Sequence, residues 1–178
     1  MKKLNFIFFS IIMILVFACK DTNSIEKKET SRAENTIATT LKNTTKTYLN
    51  AWSENDTTVH RLVTTKNLVR NVNGKIVSIN QKELFKTMNF WHRAMPDLKI
   101  DEKEISVIGT RAYVNWIGRG SNTGMLGNTP PTGKKGYIEG MSILTFDDAG
   151  YIVHEATFFN LLGLMEEWGY TMSPPIME

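Results

Sequence analysis

Between Trp116 and Gly140 two extended arms surround a corner rich in Gly, Pro and Thr, and large residues alternate with glycine along the first arm. Gly118, Gly120 and Gly124 share parity with Trp116 and Asn122. In an extended strand residues of one parity share a face, and glycine inside a strand marks a bulge, a bend or a close approach. The pattern therefore predicts a bent strand whose smooth side carries one indole and one amide. A curved sheet of this kind makes room for a pocket.

The amino terminus addresses a different question. Lys2 and Lys3 precede an apolar run from Phe6 to Ala18 that is too short for a stable membrane span. Its charged start and short apolar stretch read as an export signal over residues 1–18. It ends at Cys19, the only cysteine of the 178-residue chain, which therefore has no intramolecular disulfide partner. Ala18-Cys19 resembles a bacterial lipoprotein signal, with the cysteine as the site of lipidation and Lys20 in place of Asp pointing to an outer membrane. Phe17 is bulkier than is usual there. That resemblance implies a chain held in the bacterial cell envelope by a lipid. Of 21 basic residues two fall within residues 1–18, leaving 19 against 18 acidic ones and a net charge of +1. With no basic run longer than a pair, the chain carries no electrostatic footprint for nucleic acid.

Residues 19–35 contain one large apolar residue, Ile25, and are expected to form a flexible, solvated tether. From residue 36 to residue 175 a single domain is expected. Ile37, Leu41, Tyr48 and Trp52 fall on one helical stripe. Asp56 suits the start of a short second helix, and Asn73-Gly74 between two β-prone runs predicts a hairpin. Asn80 with Glu83 predicts the start of the most amphipathic helix, carrying Leu84, Phe85, Met88 and Trp91 and ended by Pro96. Four long strands follow, at residues 98–108, 111–121, 134–146 and 151–159, and then a short helix. The expected fold class is α+β, a curved antiparallel sheet wrapped over helices.

The order of these elements, with Ala94-Met95-Pro96-Asp97-Leu98, Thr123-Gly124, Pro131-Thr132-Gly133-Lys134, Gly140 and Asp148-Ala149-Gly150-Tyr151-Ile152-Val153, resembles the SnoaL-like branch (polyketide or ester cyclases) of the nuclear transport factor 2-like superfamily. The resemblance covers the whole domain. It implies a cone with a pocket in its wide end and a homodimer through the outer sheet face. It also implies an acid/base pair, whose His position falls on Asn122 and whose Asp position falls on Asn160. Both are amides here, which donate hydrogen bonds but do not exchange protons at neutral pH.

Trp91, Trp116, Asn122, Tyr137, Met141, Phe158 and Asn160 are the expected pocket residues, and His154, Glu139 and His92 the candidate acid/base groups, with Glu155 beside His154. The three histidines are isolated singles without metal-ligand spacing, so neither metal nor cofactor is called for. Three functions stay open: a lipid-anchored module binding a small, mainly apolar ligand without cyclase chemistry, a cyclase or isomerase with substitute acid/base residues, or a structural protein using its sheet face.

Overall fold

The computed structural model of the chain describes residues 22–171, 173 and 174. Cys19 and the expected signal lie outside the described residues. The described chain falls into two units, residues up to Ile37 and residues from Ala38 onward. In the first, residues 27–37 are exposed and helical, as the start of helix α1 (Thr22–Ser53). The tether expected to lack structure thus differs from what is observed. The segment has no Gly or Pro after Cys19 and contains Glu, Lys, Arg and Ala, residues of good helix propensity, so low hydrophobicity alone does not stop a helix there.

The second unit holds the remaining elements. Helix α2 (Thr57–Val63) starts where Asp56 Oδ1 accepts the N–H groups of Thr58 and Val59, each at 2.9 Å. Strands β1 (Thr64–Val72) and β2 (Lys75–Ser78) form the expected hairpin. Asn73 and Gly74 both have positive φ, 49° and 85°, as its tight turn requires. Helix α3 (Gln81–Ala94) begins with Asn80 Oδ1 accepting from Glu83 N at 3.0 Å, while Glu83 Oε2 accepts from Ile79 N at 2.9 Å. Strands β3 (Lys99–Ile108), β4 (Arg111–Ser121), β5 (Lys135–Phe146) and β6 (Ile152–Phe159) then form the meander, and α4 (Leu161–Glu167) closes it.

All six strands belong to one sheet, in the order β2-β1-β6-β5-β4-β3. The β1–β6 pair is parallel, so the sheet is mixed where an antiparallel one was expected. This pairing places the hairpin at the open edge of the meander, and only a long-range contact could reveal it. On the concave side Leu68, Val114, Leu144 and Ile152 pack with Tyr48 and Trp52 of α1 and with Leu84, Phe85 and Met88 of α3. The result is an α+β cone, a curved mixed sheet closed over helices. A second cluster, Met95, Leu98, Leu164 and Trp168, fills one end.

Candidate functional site

Register decides which residues face the inside of the cone. Trp116 of β4 pairs with Gly140 of β5, which pairs with Phe159 of β6, so the three share a face. The Trp116 and Phe159 rings meet at 5.9 Å between centroids. A Cβ on Gly140 would fall within the Trp116 indole, so only glycine fits between them. On β5 the inward residues are therefore Ile138, Gly140, Ser142 and Leu144. On β6, where a bulge near the start shifts the pairing with β5, they are Glu155, Thr157 and Phe159.

Trp116, Ile138, Ser142, Glu155 and Phe159 line, with residues of the helices, a cavity of about 70 Å³. That is several times the roughly 10–15 Å³ a single water needs. Its walls are mostly apolar: Trp52, Trp91, Leu98, Ile100, Trp116, Ile138, Phe159 and Leu164. Its polar lining consists of Tyr48, Arg70, Ser142 and Glu155. These four, with Trp116 and Thr157, form one buried network. Tyr48 Oη and Arg70 Nε both donate to Glu155 Oε2, each at 2.6 Å, and Ser142 Oγ donates to Glu155 Oε1 at 2.9 Å. Ser142 Oγ in turn accepts from Trp116 Nε1 at 3.0 Å and from Thr157 Oγ1 at 2.9 Å. The Arg70 guanidinium lies 4.8 Å from the centroid of Trp52, a cation–π contact inside a desolvated site. A buried carboxylate thus has a cation and two hydroxyls, the partners it needs to be tolerated there.

Burial, reinforced by the Glu155 carboxylate, pushes the Tyr48 hydroxyl well above its ordinary value despite the opposing charge of Arg70, so Tyr48 is a neutral donor. His60 packs on the far side of Tyr48, with ring centroids 4.7 Å apart, and edge-on to Phe85. Burial lowers its pKa to about 4, with Arg70 and Arg61 acting in the same direction and Glu155 against them. Thr64 Oγ1 donates to His60 O at 2.8 Å, so the 3.3 Å contact between Thr64 Oγ1 and His60 Nδ1 places the ring proton on Nδ1. His60 Nε2 is buried without a partner. Protonation there would create a donor with nothing to accept it.

Of the residues expected in the pocket, Trp91 and Trp116 line it. Tyr137, Met141 and Phe158 are exposed on the opposite face of the sheet. The inner face of β5 and β6 carries the residues of the opposite parity, because a shift of one residue turns every side chain over. Asn122 is fully buried but serves the corner loop. Its Nδ2 donates to Ala94 O at 3.3 Å and Gly124 O at 3.1 Å, while its Oδ1 accepts from Thr132 N at 2.9 Å and Tyr170 Oη at 3.2 Å. Asn160 is exposed and caps α4, its Oδ1 accepting from Gly163 N at 3.0 Å.

None of the three acid/base candidates reaches the cavity. Glu139 is exposed and paired with Lys103. His154 shares the outward parity and lies on the outer face, where it is half-buried opposite Thr145 and Val69. His92 Nε2 donates to Trp52 O at 2.6 Å, tying α3 to α1. The groups missed as pocket polar residues are Tyr48, Arg70 and Ser142, whereas Glu155, considered beside His154, does line the cavity. The small residues Gly140 and Ser142, between the large apolar Ile138 and Leu144, were the available signal for the inward parity. Among the described residues no group of three His, Cys, Asp or Glu side chains is placed to hold a metal ion, and no helix is long and apolar enough to cross a membrane.

Solved structures of low sequence identity share this architecture. AclR from Streptomyces galilaeus matches with a TM-score of 0.66 at 21% identity, covering 76% of this chain and 88% of its own. A SnoaL-like protein from Jannaschia sp. CCS1 matches with a TM-score of 0.68 at 19% identity, covering 78% and 96%. A protein of ketosteroid isomerase-like fold from Catenulispora acidiphila DSM 44928, solved in complex with trimethylamine, matches with a TM-score of 0.60 at 8% identity, covering 74% and 97%. No curated protein matches the chain in sequence. The family model described as SnoaL-like polyketide cyclase matches residues 42–168, the stretch that builds every wall of the cavity, and the chain accordingly belongs to the SnoaL-like polyketide cyclase family.

Proposed function

We propose that this is a lipid-anchored protein of the bacterial cell envelope whose cavity holds a small, mainly apolar ligand without cyclising it. The observation that carries the ligand reading is the cavity itself, with apolar walls and a few convergent polar groups. The trimethylamine complex of a protein of the same fold is in keeping with small-molecule binding. The absence of chemistry is supported by the state of Glu155. It already accepts three hydrogen bonds, one from Arg70, which leaves little lone-pair capacity for taking a substrate proton. Asn122 and Asn160 lie away from the cavity walls and have no part in this.

The second reading is a cyclase or isomerase in which Glu155, aided by the Tyr48 hydroxyl, is the substitute acid/base group. It is favoured by one observation, that this carboxylate forms part of the cavity wall. Titrating a panel of enolisable ketones and esters against the protein distinguishes the two. Trp52, Trp91 and Trp116 report binding by their fluorescence, and deuterium uptake next to the carbonyl reports proton abstraction. Binding without exchange is expected, and exchange or ring closure by the unmodified protein overturns the binding reading in favour of the enzyme.

The anchor rests on Lys2, Lys3, the apolar run and Cys19. Cys19→Ser should move the protein from the detergent phase to the aqueous phase, and unchanged partitioning refutes lipidation. A homodimer through the outer sheet face is supported by the exposed cross-strand neighbours Met141 and Phe158, with Tyr137 nearby on β5. Sedimentation that gives a monomer at micromolar concentration counts against it.

A further inference from the structure

We propose that Arg70 is the oxygen-recognition group of this cavity, its terminal amino groups donating to the oxygen of a neutral ketone or ester. The inference rests on the reading that the cavity binds a ligand, and it adds the ligand's polar chemistry. Arg70 sits on β1 directly beside its parallel partner Glu155. A guanidinium carries five N–H donors. Nε uses one of them on Glu155 Oε2, the hydrogen bond this side chain makes among the described residues. The residue is 7% exposed and lines the cavity, where its remaining four donors stay open to a ligand or to water. A ligand oxygen that displaces this water keeps the donors of the charged group paired. Trp52 lies against the guanidinium, 4.8 Å from its ring centroid, and supports it in place.

Charge decides between a carbonyl and a carboxylate. The Arg70 charge is already balanced by Glu155 at 2.6 Å. A carboxylate ligand would add an uncompensated anion among Leu98, Ile100, Ile138 and Phe159, where the desolvation penalty is large. A neutral carbonyl accepts the same hydrogen bonds without it. The apolar remainder of the ligand then lies against Trp91 and Trp116.

Three ring-matched probes test this: cyclohexanone, methylenecyclohexane and cyclohexanecarboxylate. Their dissociation constants are measured by tryptophan fluorescence for the unmodified protein and for Arg70→Lys, and the carbonyl stretch of bound cyclohexanone is recorded by infrared spectroscopy. The unmodified protein should bind the ketone roughly tenfold or more tightly than the hydrocarbon, the value of a charge-assisted hydrogen bond, and the carboxylate most weakly. The carbonyl stretch should move to lower frequency on binding. Arg70→Lys keeps the charge but loses the planar fork, so the ketone preference should fall at least about fivefold with hydrocarbon affinity unchanged. If Arg70→Lys does not fold, Arg70→Met with Glu155→Gln, which removes both charges together, should show the same loss.

Equal binding of ketone and hydrocarbon by the unmodified protein overturns the role of Arg70 while leaving the cavity reading standing. So does a full ketone preference in a folded variant, or a carboxylate that binds tightest. Failure of all three probes, the hydrocarbon included, overturns the cavity reading and this proposal with it.

Discussion

The Trp116 indole occupies the space that a side chain on Gly140, its neighbour across the β4–β5 ladder, would need. This one relationship sets the inner surface of the cone. It lets the indole lie flat across β5 toward Phe159 and brings its N–H to Ser142 Oγ at 3.0 Å.

Gly140→Ala should therefore destabilise the domain by about 1–3 kcal/mol, the ordinary cost of overfilling a packed site, and should weaken ligand binding by displacing the Trp116 ring. Gly109 has positive φ but open space around its Cβ position, so Gly109→Ala tests backbone strain alone and should leave binding unchanged. Denaturant midpoints and fluorescence titrations of the two variants check both statements.

Removing one member of the buried ion pair should be far more damaging than removing both. Arg70→Met alone leaves Glu155 buried without its cation and should cost about 3–5 kcal/mol. Arg70→Met combined with Glu155→Gln should cost less than the sum of the two single changes, because the uncompensated charge disappears. A double-mutant cycle on unfolding free energies measures the coupling, and strict additivity refutes it. Tyr48→Phe removes one of the three donors to Glu155 and should cost about 1–3 kcal/mol.

Stability should fall in mildly acidic solution because of His60. Its folded pKa, about 4, lies below the ordinary 6.5, so the unfolded chain takes up a proton at higher pH than the folded one. The contribution is fully present above pH 6.5 and is lost progressively as pH falls toward 4. Over that window it amounts to about 3 kcal/mol at 1.36 kcal/mol per pH unit. Asp97 adds a separate effect at lower pH. Burial alone would raise its pKa, but hydrogen bonds from Ser121 N at 2.7 Å and Ser121 Oγ at 2.8 Å outweigh that and lower it. Its contribution is present above the ordinary carboxylate range and is lost as pH falls through its lowered value. Unfolding free energies of the parent and His60→Leu between pH 4 and 7.5 isolate the histidine, and the variant should be nearly flat there.

The two asparagines should behave in opposite ways. Asn160→Asp keeps an acceptor at the start of α4, so stability should change by no more than about 0.5 kcal/mol and no proton exchange with enolisable ketones should appear. Asn122→Asp replaces an amide donor that faces Ala94 O and Gly124 O with a second acceptor, and should cost about 2–4 kcal/mol. Thermal unfolding separates the two, and an Asn160→Asp protein that turned over ketones would restore that position to the site.

Local chemistry was legible in the sequence. The Asn73-Gly74 turn, the Asp56 and Asn80 caps, the stop at Pro96, the four long strands to within a residue of their ends, and the glycine-relieved surface beside Trp116 all depend on neighbours a few positions apart. The family is legible for the same reason, since it resides in the order and spacing of such signals. Three things were decided only by tertiary structure. The parallel seating of β1 on β6 joins residues about 85 positions apart, and no local pattern encodes it. The inward parity of β5 and β6 was ambiguous because both faces carry apolar residues, Ile138 and Leu144 on one and Tyr137 and Met141 on the other. It was resolved when Trp116 required glycine opposite it. The polar lining of the cavity followed from these two decisions. Tyr48, Arg70, Ser142 and Glu155 come from four separate elements, and each reads in sequence as an ordinary surface or core residue until the sheet closes and places the carboxylate within reach of the other three.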